Sequence, residues 1–259
     1  MRILVIGDVV SSSGCTFLRR HLPSLKRMKK IDLCIANGEN SAPGNGILPG
    51  TAEHLFDSGV DFITTGNHVY NRREAYDMLD DRQDIIRPAN YYGGNPGKGC
   101  GIIDMGRTQV GVINLLGNSF MGVNTENAFI CAERTIEELK KSCSVIVVDF
   151  HAEATGEKRS MGFFLDGKVS VVFGTHTHVQ TADEQILPCG TGYITDVGMV
   201  GPKQSVLGVK PEIIISKMRT NMPARFDVED TENCILNGCI FEVDEKTGKT
   251  LSVERVAIE

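Results

Sequence analysis

Val169-Ser170-Val171-Val172-Phe173-Gly174-Thr175-His176-Thr177-His178 is the stretch on which the fold turns. Its apolar half reads as a buried strand, and it ends in glycine followed by two alternate imidazoles. Open α/β folds place their ligands at the carboxyl edge of the sheet. Neutral imidazole is also the commonest nitrogen ligand for a transition metal. If this stretch reaches such an edge, other strands of the chain should end in residues of the same kind.

They do. Asp8 ends the run Ile3-Leu4-Val5-Ile6-Gly7, and Glu39 and Asn40 follow Leu33-Cys34-Ile35-Ala36-Asn37-Gly38. Asn67 and His68 follow Phe62-Ile63-Thr64-Thr65-Gly66, and His151 follows Val145-Ile146-Val147-Val148-Asp149-Phe150. Five apolar runs thus end in metal-capable residues, and four of the six histidines lie at those ends. Singly, each residue has an ordinary explanation. Asp8 before Ser11-Ser12-Ser13, Asn40 and Asn67 suit caps or turns, and a lone His151 suits a hydrogen-bonded structural histidine. Jointly, the ordinary account needs five coincidences at one sheet edge.

Around these runs, β-rich segments alternate with helical patterns, which is the signature of a layered α/β fold. Helices are predicted from Cys15 to about Met28 with Pro23 weakening the middle, over Thr51 to Ser58, and over Arg72 to Leu79. Asn71 and Glu74 read as a capping box for the last of these. Ile102–Met105 and Val110–Asn114 read as a hairpin, Leu115–Ile130 as a long loop, and Ala132–Lys141 and Glu212–Arg219 as helices. Cys234–Val243 and Leu251–Ile258 form a second predicted hairpin around Asp244–Gly248. His21 and His54 fall on predicted helices as surface or packing residues. Glu157-Lys158-Arg159 reads as a solvated helix start, with phosphate steering the alternative, and Phe120 and Met121 as irregular surface packing in the long loop, with contact to a base the alternative.

With 259 residues and no repeat, linker or low-complexity stretch, residues 1–259 read as one domain. The net charge of -6 argues against a broad nucleic-acid or anionic-membrane surface, although bound cations would make a cleft locally positive. Eight scattered cysteines without a C-x-x-C pair, the absence of a signal-like start and the absence of a membrane-length run predict a reducing cytoplasm. A homo-oligomer is compatible with the sequence.

Two metals held about 3.5–4 Å apart need a bridging carboxylate and several nitrogen or oxygen ligands. Asp8, Glu39, Asn40, Asn67, His151, His176 and His178 supply that mixture. Mixed carboxylate and imidazole donors suit Fe, Mn or Zn rather than Ca or Mg, and the lack of thiolates disfavours a structural zinc site. Gly7–Gly14 has neither a G-x-G-x-x-G pattern nor the lysine of a P-loop, so a nucleotide-binding loop is not expected there.

The set resembles the calcineurin-like metallophosphoesterases, and in particular their YmdB-like branch. The resemblance rests on Gly7-Asp8-Val9-Val10, Asn37-Gly38-Glu39-Asn40, Thr65-Gly66-Asn67-His68, Asp149-Phe150-His151-Ala152-Glu153-Ala154-Thr155 and Gly174-Thr175-His176-Thr177-His178, in the family's order. Thr195-Asp196-Val197-Gly198-Met199-Val200-Gly201-Pro202 extends the likeness to the branch. Val10 stands where the wider superfamily carries a histidine, and Glu39 where it carries a bridging Asp, with Asn40 able to restore a ligand through its carbonyl. The run Ser11-Ser12-Ser13-Gly14-Cys15 departs from similar proteins, which carry an earlier glycine.

The resemblance implies a four-layer α/β/β/α sandwich of the metallophosphoesterase type. It implies two divalent or trivalent ions, Fe or Mn in preference to Zn. One would be bound by Asp8, Glu39, Asn40 and His178, the other by Glu39, Asn67, His151 and His176. In that family a metal-bridging hydroxide attacks phosphorus in line with the departing alkoxide. His68 would assist the leaving oxygen or hydrogen-bond a phosphate oxygen. The implied reaction is hydrolysis of a small phosphodiester, namely a 2′,3′- or 3′,5′-cyclic nucleotide. The alternatives are a nucleotidase acting on monoesters and a regulatory nucleotide-binding protein with weak turnover.

Overall fold

A computed structural model describes residues 1–259. Seven strands build a first sheet: β1 (Arg2–Ile6), β2 (Asp8–Val9), β3 (Leu33–Asn37), β4 (Phe62–Thr64), β11 (Met199–Pro202), β12 (Cys234–Val243) and β13 (Thr250–Ile258). Six build a second: β5 (Cys100–Asp104), β6 (Gln109–Leu116), β7 (Val145–His151), β8 (Val171–Thr175), β9 (Gln185–Ile186) and β10 (Gly192–Ile194). The helices are α1 (Ser11–Lys29), α2 (Pro49–Asp57), α3 (Tyr76–Asp81), α4 (Ala128–Leu139), α5 (Thr155–Leu165) and α6 (Pro211–Thr220). None is long and apolar enough to cross a membrane.

Strand order is β2-β11-β12-β1-β3-β4 in the first sheet, with β13 on β12, and β5-β6-β7-β8-β10-β9 in the second. Successive side chains of a strand face opposite ways, so a strand covered on both faces reads as a continuous apolar run. Ile3 and Val5 of β1 enter the layer between the sheets, while Leu4 and Ile6 pack under α1 and α2. In β7, Val145 and Val147 enter the middle layer, and Ile146, Val148 and Phe150 pack under α4 and α5. The layers are helix, sheet, sheet, helix, which is the four-layer α/β/β/α sandwich expected. Full burial of each Val, Ile or Phe in it contributes roughly 1.5–3 kcal/mol.

Both predicted hairpins are present, β5–β6 and β12–β13, each antiparallel. Helix boundaries are less well anticipated. α1 begins at Ser11 rather than Cys15 and keeps Pro23 inside it. The poor helix formers Ser11–Gly14 are held by tertiary contact: a methyl on Gly14 would lie 2.3 Å from the Val200 carbonyl oxygen. Only Val10 therefore separates β2 from α1. α2 starts two residues early at Pro49, whose fixed φ suits a first turn.

The expected Arg72–Leu79 helix is instead a 3-10 turn, Arg73–Ala75, running into α3. The Asn71 capping box does not form, because Arg72 is the cap and makes no side-chain capping bond. Arg72 instead reaches the Asn45 and Pro43 carbonyls. α4 begins inside the predicted loop, since Asn127 Oδ1 caps it by accepting from the N–H groups of Phe129 and Ile130. Met121 is buried and Phe120 is exposed.

Candidate metal centre

β1, β3 and β4 run parallel in the first sheet, and β7 and β8 run parallel in the second. Parallel strands deliver their carboxyl ends to one edge, and the sandwich brings the two edges together. Asp8, Glu39, Asn40, Asn67, His151, His176 and His178 all arrive there, and His68 lies beside them.

The ligand-capable atoms fall into two groups. In the first, Glu39 Oε1 and Asn67 Oδ1 each lie 3.0 Å from His151 Nε2, and His176 Nδ1 lies 3.1 Å from it. In the second, the Asn40 amide nitrogen lies 3.2 Å from Asp8 Oδ1, 3.3 Å from His178 Nε2 and 3.4 Å from Glu39 Oε1. Glu39 Oε1 belongs to both groups. Each carboxylate is pinned by its other oxygen: Glu39 Oε2 accepts from the His68 N–H and Asp8 Oδ2 from the His176 N–H, both at 3.0 Å.

This arrangement fits cations. One proton on His151 Nε2 can serve only one of its three acceptors, whereas a metal ion satisfies all four atoms at once. Asp8 and Glu39 are fully buried, and both remain ionised. Burial opposes ionisation of Asp8, but the charge and hydrogen bond of His178 outweigh it and hold the carboxyl at about 2. Burial opposes Glu39 too, and His151 and His68 hold it well below the usual carboxylate range. His151 is raised to about 9 against its desolvation, chiefly by Glu39, while burial and the His151 charge push His176 down to about 4. A buried pair of anions surrounded by imidazoles is a candidate cation site.

The Asn40 amide nitrogen faces the second group, and its carbonyl oxygen accepts from His68 Nδ1 at 3.1 Å. The two amide orientations are nearly isosteric. A turn about the amide puts the oxygen among Asp8, Glu39 and His178 as the ligand expected from sequence, and puts the NH2 donor against His68 Nδ1.

A further shell fixes the rings. Thr175 Oγ1 donates to Asp149 Oδ1 at 2.7 Å and lies 2.8 Å from His151 Nδ1, so it aims Nε2 at the site. Thr64 and Asn37 hold the other Asp149 oxygen. His176 Nε2 lies 3.2 Å from the Glu153 carboxylate. Gly66 is obligatory, because a methyl there would lie 2.4 Å from Glu39 Oε2 and from His151 Nε2.

His176 and His178 have φ of 98° and 62°, a conformation that costs of order 1–3 kcal/mol per non-glycine residue. A buried ion pair clasps the loop that carries them. Lys158 Nζ donates to the Thr175 carbonyl at 2.7 Å and to Asp196 Oδ2 at 2.6 Å, and that oxygen accepts from the Thr177 N–H and hydroxyl at 3.1 and 2.8 Å. Lys158 is 1% exposed, which corrects its reading as a solvated helix start. Arg159 and Glu157 are also engaged: the guanidinium lies over the Phe163 and Tyr193 rings, and the carboxylate accepts from the Asn118 and Ser119 N–H groups. His54 Nε2 meets the Cys15 carbonyl and His21 stacks on Phe17, both packing roles.

Asp149, Thr175, Lys158 and Asp196 were not singled out individually from the sequence. Asp149 carried a signal, being a lone carboxylate inside an apolar strand.

The family described as YmdB-like protein matches residues 4–256. The chain is 44% identical over 258 residues to a 2′,3′-cyclic-nucleotide 2′-phosphodiesterase of Bacillus subtilis (strain 168), covering 100% of this chain and 97% of the relative. A crystal structure of a novel phosphatase from Mycoplasma pneumoniae superposes with a TM-score of 0.94 at 36% identity, covering 100% of this chain and 93% of that one. A hypothetical protein from Thermus thermophilus superposes with a TM-score of 0.93 at 34% identity, covering 100% and 99%.

Proposed function

The chain belongs to the YmdB-like protein family, and on that premise we propose that it is a metal-dependent phosphodiesterase acting on 2′,3′-cyclic nucleotides. The carrying observation is Glu39 Oε1, one buried carboxylate oxygen shared by two groups of ligand atoms. That sharing supports a two-metal reading, with Asp8, Glu39, Asn40 and His178 on one side and Glu39, Asn67, His151 and His176 on the other. Because the two sheets contribute to one centre, residues 1–259 act as one catalytic unit in this reading. Bound there, the ions would supply Lewis acidity toward phosphate oxygens and lower the pKa of water.

The protein's own groups do the rest. Buried Asp8 and Glu39 fix the charge, and Thr175 fixes the His151 ring. His68, with 28% of its side chain exposed, is the residue at the rim free to meet substrate. Only while Asn40 Oδ1 accepts from Nδ1, and so is turned away from the ligand atoms, can the ring carry a second proton on Nε2 and hand it to the leaving ribose oxygen. With the Asn40 NH2 against Nδ1, the ring is neutral and donates from Nε2 as a hydrogen bond.

Metal analysis followed by assays on 2′,3′- and 3′,5′-cyclic nucleotides, bis-p-nitrophenyl phosphate and p-nitrophenyl phosphate tests the proposal. About two ions per chain, Fe or Mn, are expected, with 2′,3′-cyclic nucleotide hydrolysis fastest. Preference for the monoester overturns the diesterase reading. Slow turnover of everything with tight binding of one nucleotide favours a regulatory protein.

A further inference from the structure

A cavity of 850 Å3 is lined by residues that are tied by hydrogen bonds to the neighbourhood of the second group of ligand atoms. Its floor is Ser11 and Ser12 at the start of α1, and the Ser11 N–H donates to the carbonyl of Asn40 at 2.9 Å. One wall is Pro43, Gly44 and Arg72, just after Asn40 and the His68 turn, where the Asn71 N–H donates to the His68 carbonyl at 2.9 Å. The opposite wall, residues 225–230, is tied to the Leu207–Lys210 turn through Glu229 N–H to Gly208 O and Lys210 N–H to Asp227 O. That turn in its own right touches the centre: His178 Nδ1 lies 3.0 Å from the Leu207 carbonyl, and Gly208 packs on Val10. Both walls are therefore anchored on residues of the metal centre.

The lining carries one aromatic ring, Phe226, two arginines, Arg72 and Arg225, and three carboxylates, Asp227, Glu229 and Asp230. The Phe226 side chain is 50% exposed, and Lys217 Nζ lies 4.6 Å from its ring centroid. Arg225 beside it is exposed and has no carboxylate partner, whereas Asp227 is already paired with Lys210 at 2.8 Å. The ring face away from Lys217, beside a guanidinium that makes no salt bridge, can serve as a stacking platform for a flat heterocycle. The volume lies within the range of small-ligand sites.

We propose that this cavity receives the nucleoside of the substrate, with Phe226 stacking on the base and Arg225 hydrogen-bonding its edge. In a 2′,3′-cyclic nucleotide the base and the phosphate hang from adjacent ribose carbons. A phosphate held at the ligand atoms would bring the base within reach of this cleft, whose walls are tied to their neighbourhood. The proposal rests on the phosphodiesterase reading, and its test separates the two.

The readout is the ratio of kcat/KM for adenosine 2′,3′-cyclic phosphate to that for glycerol 1,2-cyclic phosphate, a cyclic diester without a base. Stacking of one base is worth about 1–3 kcal/mol, so Phe226→Ala should lower the ratio about tenfold, mainly through KM for the nucleotide, and Phe226→Trp should restore it. An unchanged ratio, or equal losses on both substrates, overturns the subsite. Should the wild type hydrolyse neither diester, the phosphodiesterase reading fails, and calorimetric binding of adenosine 3′-monophosphate decides the subsite by itself. Weaker binding by Phe226→Ala upholds it, and equal binding or none by the wild type overturns it.

Discussion

The ligand cradle and the strap formed by residues 203–230 lie side by side and are built in opposite ways. Asp8, Glu39 and His151 are fully buried, and each is fixed by at least one further hydrogen bond. In the strap, α6 has no buried residue at all, and Ile215, Met218 and Met222 are exposed. The difference teaches where precision is needed. Donor atoms for an ion must be placed to within roughly a few tenths of an ångström of the required geometry, which packed strands and closed hydrogen-bond networks supply. A surface that admits a substrate's base gains from looser packing.

Substitutions that break the comparison range from total to negligible in effect. Glu39→Ala removes the oxygen common to both groups; metal content should fall from about two ions toward none, with turnover lost, as elemental analysis and assay will show. An active, fully loaded Glu39→Ala protein would remove the shared-carboxylate site from consideration. His68→Ala should keep its metal and lose about 10²–10⁴-fold in kcat, and full activity on a poor leaving group would refute its role.

The clasp offers a finer test, read in stability. Lys158→Met strands Asp196 as a buried unpaired charge, and denaturant unfolding should show a loss of about 3–5 kcal/mol. The double substitution Lys158→Met/Asp196→Leu should recover much of that stability but not the metal affinity, because the Thr175–Thr177 backbone has lost its partners. Recovery of both would make the pair merely structural. At the far end, Met218→Ser on α6 should change stability by no more than about 0.5 kcal/mol, and a larger loss would mean the strap is packed after all.

The cradle was largely legible in the sequence because each of its strands carries a local signature: an apolar run covered on both faces, ending in a polar residue. What sets the loop geometry was not legible. Lys158 sits between Glu157 and Arg159 in a stretch that reads as solvated, and its burial is decided by Asp196, distant in sequence and absent from any local pattern. The Ser11 start of α1 was hidden for a similar reason, since weak helix formers are held there by the approach of Gly14 to Val200. The Asn127 cap was masked by its polar loop. Local chemistry shows in a sequence; the long-range contacts that override propensity do not.

The middle apolar layer has a mechanical consequence. Glu39 and Asn67 hang from one sheet and His151 and His176 from the other, with Val5, Ile35, Val147 and Phe173 filling the space between the sheets. The gap between opposing donor atoms is therefore set, several residues away, by the thickness of a slab of hydrocarbon. That slab works as a gauge block, and a single added or removed methylene in it would retune the centre without touching any ligand.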